Sequence, residues 1–363
     1  MKTLSLRILP LLIIALLNAC TSDAPNIKPD KTAVYHPVYP KQTVPTIPAP
    51  TRPVYPSKPY QYLIPPRVTV PQKYYSTSTH SGVFQKPTEL EPAVEFWRKT
   101  YTAWNRSQVA IHDDQFLNVI YEVLVLPGFV DECLTIEQKE IIKNRRDYWR
   151  EQLLQLEDKV RFKAPLNPND RQLIAKLQST GRDFNTVLMG ADKRVRSQRG
   201  TRERFLKGLE ISRNYDREFR KIFHDAGLPE DLAILPHVES SFQPDAKSSA
   251  GAVGMWQFTK AAAKTFMPGG DKVDRRLDPI ASATGAARYL SFAYSRLGDW
   301  PTAITSYNHG VGGMKRAQNQ VGHDFVSIIQ TYDGPAFGFA SRNYYAQFLA
   351  ARDITSNPTQ YLR

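Results

Sequence analysis

The feature that most limits what this chain can fold into is a proline-rich stretch near its start. Thirteen of its 27 prolines fall between Thr21 and Pro71, interleaved with Tyr, Val, Thr and Lys, as in Pro37-Val38-Tyr39-Pro40. Proline fixes φ and removes a backbone donor, so neither helix nor sheet can propagate there. The stretch is expected to be an extended, polyproline-like tether over residues 21–87, with Ser76 to Glu91 as a polar transition. At about 3.1 Å per residue it could span roughly 100 Å or more. Its composition also suits a docking site for a protein partner of the PxxP kind. A folded core has to be sought downstream.

Upstream of the tether, Lys2 and Arg7 precede an almost wholly apolar run from Ile8 to Leu17. The run is too short for a stable membrane-spanning helix and has the length of a signal-peptide core. It ends in Leu17-Asn18-Ala19-Cys20, which resembles the lipobox of bacterial lipoproteins. That resemblance implies a signal peptide over residues 1–20, lipidation of Cys20, and a membrane anchor through the N-terminal lipid. Thr21 and Ser22 follow where an aspartate would favour retention at the inner membrane, so the outer membrane, facing the periplasm, is the expected location. The chain has two cysteines, Cys20 and Cys133, too few for a disulfide framework. Lipidation of Cys20 would leave Cys133 without a partner, and its apolar flanks suggest a small buried hydrophobe.

The formal net charge is +13, of which Lys2 and Arg7 belong to the removable segment. A surplus of that size attracts polyanions. For an exported chain these are cell-wall polymers and anionic head groups; nucleic acid is not an expected partner.

After residue 88 helical signals dominate. Phe96, Trp97, Tyr101 and Trp104 recur at helical spacing, Gln138 to Arg161 reads as a long charged helix, and further helices are expected from Asp170 toward Leu188 and from Arg202 to Ala226, ending at Gly227. No convincing period-2 stretch and no internal repeat is visible. The expected organisation is a helical region over 88–194 followed by a second domain over 195–363. Asp278-Pro279 is expected to start a helix that runs to Leu297-Gly298.

The residues around position 239 carry the chemistry. Pro229 suits the first turn of a helix, with Glu230 and Asp231 at the positive end of its dipole. Leu232, Leu235 and Glu239 then share one face, with Ile234 and Val238 beside it, and Pro236 is expected to kink the helix. A carboxyl at the end of an apolar stripe should be desolvated and stay protonated near neutral pH, as a general acid requires. His237 and His309 have no ligand-spaced companions, so no metal and no cofactor is expected.

Downstream, Glu239-Ser240-Ser241-Phe242 is followed by Gly251-Ala252-Val253-Gly254-Met255-Trp256-Gln257-Phe258 and by Ile304-Thr305-Ser306-Tyr307-Asn308. This ordered set resembles the family 1 lytic transglycosylases, which carry E-S-x-F, G-L-M-Q and A-Y-N motifs in that order. Leu235-Pro236-His237-Val238-Glu239-Ser240-Ser241-Phe242 is most similar to the branch of membrane-bound lytic murein transglycosylase D. The resemblance covers about Val195 to about Ala351.

The resemblance implies a mainly α fold, a goose-lysozyme-like catalytic domain preceded by helical segments. It implies a lyase that acts on peptidoglycan glycan strands. Glu239 would serve as the only catalytic acid and base, cutting between N-acetylmuramic acid and N-acetylglucosamine and closing a 1,6-anhydro ring without water. Carried over by position, Ser248, Gln257, Tyr307, Asn308 and Tyr344 would bind substrate around it. Each also has a plainer role open to it: Ser248 capping a turn, Gln257 a satisfied buried amide, Tyr307 a core residue. Trp256, Ser306 and Thr259 depart from the family pattern and bear on cleft shape rather than chemistry. A hydrolytic muramidase would need Asp245 or Asp274 to position water. A third reading is a wall-binding assembly lipoprotein that uses the tether as its partner site.

Overall fold

The computed structural model describes residues 82–267 and 274–362. The expected signal peptide, Cys20 and the tether as far as residue 81 lie outside the described residues. Packing has begun by Val83. Phe84 is buried with its ring edge-on to Trp300 at 6.0 Å and to Phe348 at 5.0 Å, and Gln85 O accepts a 2.7 Å hydrogen bond from Tyr345. Residues 83–87, which composition assigns to the tether, therefore begin with part of the core; the apolar pair Val83-Phe84 is what anchors them.

A 3₁₀ turn (Thr88–Leu90) leads into α1 (Glu91–Thr102), which buries Phe96, Trp97 and Tyr101 as their spacing predicts. There follow β1 (Gln108–Asp113), β2 (Ile120–Val125), α2 (Ile136–Arg161), α3 (Pro168–Gln178), α4 (Phe184–Leu188) and β3 (Val195–Arg199). The strands form an antiparallel sheet in the order β2-β1-β3. The sheet lies within the region where helical signals dominate, and no period-2 stretch announced it. β1 was hidden because both its faces are covered, which removes the polar alternation that marks a half-buried strand. Val109 and Ile111 enter a small core with Leu153, Leu156 and Leu173, whereas Ala110 enters the main core. The His112 ring lies 4.6 Å from that of Phe96. The sheet thus partitions two cores.

Local capping sets the helix ends. Thr135 and Gln138 form a reciprocal capping box at the start of α2, and Asn167 and Asp170 do so for α3. The single helix expected toward Leu188 is two helices, divided by a turn at Gly181 with φ +66°. Cys133 is exposed, which corrects its reading as a small buried hydrophobe.

The remainder is helical: α5 (Arg202–Ser212), α6 (Asp216–Asp225), α7 (Pro236–Glu239), α8 (Lys260–Phe266), α9 (Pro279–Leu297), α10 (Trp300–His309), α11 (Val311–Val321), α12 (Phe325–Thr331), α13 (Phe339–Ser356) and α14 (Pro358–Tyr361). The helix expected over 202–226 is α5 and α6, interrupted at residues 213–215, and Gly227 at φ +72° ends it as predicted. Asp278 caps α9 by accepting from the Ile280 and Ala281 N–H groups, both at 3.0 Å, and Gly298 closes it at φ +89°. The alanines of α9 are fully buried, so neighbouring helices approach it closely. α13 is the hub: α1, α7 and α10 all pack on it. No described helix is long and apolar enough to cross a membrane.

Candidate active site

The helix expected from Pro229 through Glu239 forms as two pieces, and Pro236 is the cause. The Leu232 carbonyl would normally receive the N–H of residue 236, which proline lacks; it accepts from Leu235 instead at 3.2 Å. The result is a 3₁₀ turn over Glu230–Ile234 and then the short α7, with Glu239 as its last residue. The chain then turns sharply: Ser241 and Phe242 take φ of +51° and +56°, a left-handed pair of non-glycine residues. Such conformations persist only where packing imposes them. Phe242 N–H returns to Pro236 O at 3.0 Å, its ring packs 4.4 Å from that of His237, and Ser240 Oγ donates to Met255 O at 2.9 Å. The glutamate loop is thereby tied to the Gly254–Gln257 segment.

Glu239 is 3% exposed. Burial pushes its carboxyl up to about 8, against a hydrogen bond from Tyr344 that favours the ionised form. Tyr344 donates its phenol proton to Glu239 Oε1, leaving Oε2 to carry the carboxyl proton. Burial and the Glu239 charge hold the Tyr344 phenol well above its usual value, as they do for Tyr307. Among the described residues no second carboxylate perturbs Glu239. This is a protonated acid at neutral pH within a shell of neutral tyrosines.

The other predicted residues divide. Tyr344 touches Glu239 directly. Tyr307 donates to Trp256 O at 2.9 Å and so joins the third motif to the second. Gln257, itself left-handed at φ +49°, spends its amide N–H groups on Gly254 O (2.8 Å) and Ala246 O (3.2 Å). Its Oε1 is buried with no hydrogen-bond partner. Asn308 accepts from Ser341 Oγ at 2.8 Å and braces α10 against α13. Ser248 Oγ accepts from Ala252 N–H at 3.0 Å, the turn-capping role open to it from the start.

Three residues near the site were given no part in it by the sequence reading. Tyr101 of α1 is fully buried, feels the Glu239 charge, and donates to Gln347 Oε1 at 3.4 Å, one turn along α13 from Tyr344. Arg276 is buried beneath the second motif and donates to Gly251 O (2.8 Å) and Phe258 O (3.1 Å). His237 sits between Phe205 and Phe242 with Nδ1 lacking a hydrogen-bond partner, and burial lowers its pKa to about 3, so it is neutral. Tyr101 and Arg276 had no local signal, because each acts through a partner distant in sequence.

Comparison with known proteins bears on the same segment. Residues 223–326 match the model of the Transglycosylase SLT domain. Membrane-bound lytic murein transglycosylase D of Escherichia coli (strain K12) is 30% identical over 141 residues, 37% of this chain and 30% of that protein. Membrane-bound lytic murein transglycosylase F of Maricaulis maris is 32% identical over 165 residues, 40% of this chain and 34% of that protein. The chain spans about a third of the length of these curated relatives. The solved 70 kDa soluble lytic transglycosylase of Escherichia coli shares 15% identity over 62% of this chain and 47% of that one, with a TM-score of 0.31, too slight a likeness to add to the fold. The segment that matches the Transglycosylase SLT domain holds Glu239, the Gly254–Gln257 turn and Tyr307 in one connected site, so the likeness to lytic transglycosylases falls on the residues of the candidate site.

Proposed function

We propose that this chain is a peptidoglycan lytic transglycosylase in which Glu239 acts first as general acid and then as general base. The observation that carries the reading is one buried carboxyl, raised to about 8, with no second carboxylate near enough to shift it among the described residues. Retaining and inverting glycosidases need two carboxyl groups. With one, the nucleophile has to come from the substrate. Glu239 protonates the oxygen between N-acetylmuramic acid and N-acetylglucosamine, and the acetamido group assists departure. The resulting carboxylate takes the proton from the muramoyl C6 hydroxyl, whose oxygen closes on C1. Tyr344 orients the carboxyl, while Gln257, Tyr307, Asn308 and Ser248 shape the wall around the sugar. The goose-lysozyme-like architecture of residues 195–363 belongs to the same proposal.

The hydrolytic alternative finds less support. Asp274 is exposed and held by Arg276 at 2.8 Å, which keeps its carboxyl down at about 2, and Asp245 is exposed. Mass analysis of muropeptides released from purified sacculi tests the choice. Products one water lighter than those of a hydrolase, without reducing muramic acid ends, are expected; oxygen incorporated from labelled water refutes the reading.

The two relatives bear names that call them membrane-bound. A lipid on Cys20, anchoring the chain to the outer membrane with the tether reaching the wall, fits that association. Metabolic labelling with a fatty-acid analogue should tag the chain, and Cys20→Ser should abolish the tag; a tag that survives removes the anchor from the proposal.

A further inference from the structure

Asp231, whose place in a first helical turn suggested only a contact with the helix dipole, is tied to the helix that carries Tyr344. Its Oδ2 accepts from Arg352 Nε at 2.7 Å. Asp231 lies in the 3₁₀ turn eight residues before Glu239, and Arg352 lies on α13 eight residues after Tyr344. The stretch that ends in Glu239 therefore runs antiparallel to α13. It is clamped at both ends, by the ion pair at one and by the Tyr344–Glu239 hydrogen bond at the other.

The backbone of that stretch does not by itself fix its length. Eight residues rise about 12 Å as α-helix and about 16 Å as 3₁₀-helix. Pro236 divides the stretch between the two forms. Each residue that passed from one form to the other would slide Glu239 about 0.5 Å along α13, enough to spoil the angle of a hydrogen bond within two or three steps. The side chains of Asp231 and Arg352 are 17% and 15% exposed, so their attraction is poorly screened and can hold the end of the stretch in place. The other oxygen, Asp231 Oδ1, accepts from Arg220 Nη1 of α6 at 3.0 Å. Of the two arginines, Arg352 is the one on the helix of Tyr344.

We propose that Asp231 and Arg352 are positioning residues for the cleavage reaction: their ion pair sets how far along α13 Glu239 stands, and so aligns its carboxyl with Tyr344. The proposal rests on the reading of Glu239 as the acid and base of a transglycosylase. Neither residue touches the carboxyl. The groups that face it are Tyr344 of α13, Tyr307 of α10 and Tyr101 of α1, and no charged side chain among the described residues shifts it.

Arg352→Lys is the sharpest test, because lysine keeps the charge but has no donor at the Nε position. The ionisation of Glu239 can be followed without substrate, from the carboxyl carbon NMR shifts of glutamate-labelled protein. The Glu239 signal is the one lost in Glu239→Gln. Loosening the Tyr344 bond favours the neutral acid, and a hydrogen bond of ordinary strength is equivalent to about half a pH unit to one. The Glu239 midpoint should rise by about that much in Arg352→Lys and in Asp231→Asn, although loss of the Asp231 charge would by itself lower it. Arg220→Lys, which loosens the same carboxylate from α6, should leave the midpoint where it is. In a Tyr344→Phe background Arg352→Lys should add no further rise. Turnover on glycan strands should fall about tenfold or more in Arg352→Lys with KM unchanged. An unmoved midpoint in both Arg352→Lys and Asp231→Asn, an equal rise in Arg220→Lys, or a rise that adds to that of Tyr344→Phe overturns the proposal and leaves the pair a stabilising contact. A wild-type chain that cleaves no strand strikes the transglycosylase reading instead, and the NMR midpoints still decide the positioning.

Discussion

Replacing Glu239 by glutamine probes the buried carboxyl through stability and turnover together. The ordinary pKa of a glutamate, 4.5, describes the unfolded chain, whereas burial raises the folded value to about 8. Between these the folded chain holds a proton that the unfolded chain has released. Stability therefore falls as pH rises through that window, because the native state binds more protons. The slope is about 1.4 kcal/mol per pH unit, and the interval from 4.5 to about 8 amounts to about 5 kcal/mol. Below the window both states are protonated and the loss is absent; above it both are ionised and the loss is complete. Glutamine does not titrate, and its amide oxygen still accepts from Tyr344. Urea unfolding of both proteins at unit steps from about pH 5 to about pH 8 should show the wild type losing ground to Glu239→Gln at about that slope. Turnover in the variant should drop at least about 10²–10⁴-fold, the range typical of one acid–base role. A stability difference that stays constant across the pH series would mean that Glu239 ionises like an exposed glutamate, and the argument for a protonated acid would collapse.

Phe84→Ala should cost about 3–5 kcal/mol, because the ring is buried between Trp300 and Phe348. A chain beginning at Gly82 should accordingly melt like the full-length protein and one beginning at Thr88 well below it; equal melting temperatures would show that Phe84 adds nothing. Gly208→Ala, which helix propensity alone favours by about 1 kcal/mol, should instead lower both melting temperature and turnover. A Cβ there would lie 2.5 Å from Ser241 O, in the turn that follows Glu239, so a stabilised and fully active variant contradicts the packing. Tyr344→Phe removes the hydrogen bond that holds the Glu239 pKa down, so the alkaline limb of the pH–rate profile should move upward; a downward shift would reverse the assignment.

Much of this protein follows from short-range pattern. The ends of α9 were legible because Asp278, Pro279 and Gly298 act on backbone groups within a turn of themselves. The break before Glu239 was legible for the same reason, since Pro236 removes one N–H wherever the rest of the chain lies. The candidate acid stood out because its stripe of Leu232 and Leu235 and its companion motifs are contiguous. What stayed hidden depended on partners far along the chain. β1 gave no alternation because α2 and α3 cover one face while α1 and the main core cover the other. Tyr101 looked like another aromatic on an amphipathic helix until α13 brought Gln347 to it across 246 residues. The stripe around Glu239 foretold desolvation, yet the group that completes its surroundings is Tyr344, 105 residues away. Backbone propensity and capping are local energies and can be read from neighbours in the sequence. The ionisation of a buried acid is set by whatever the whole fold places against it, and that was decided only when α1, α7 and α13 packed together.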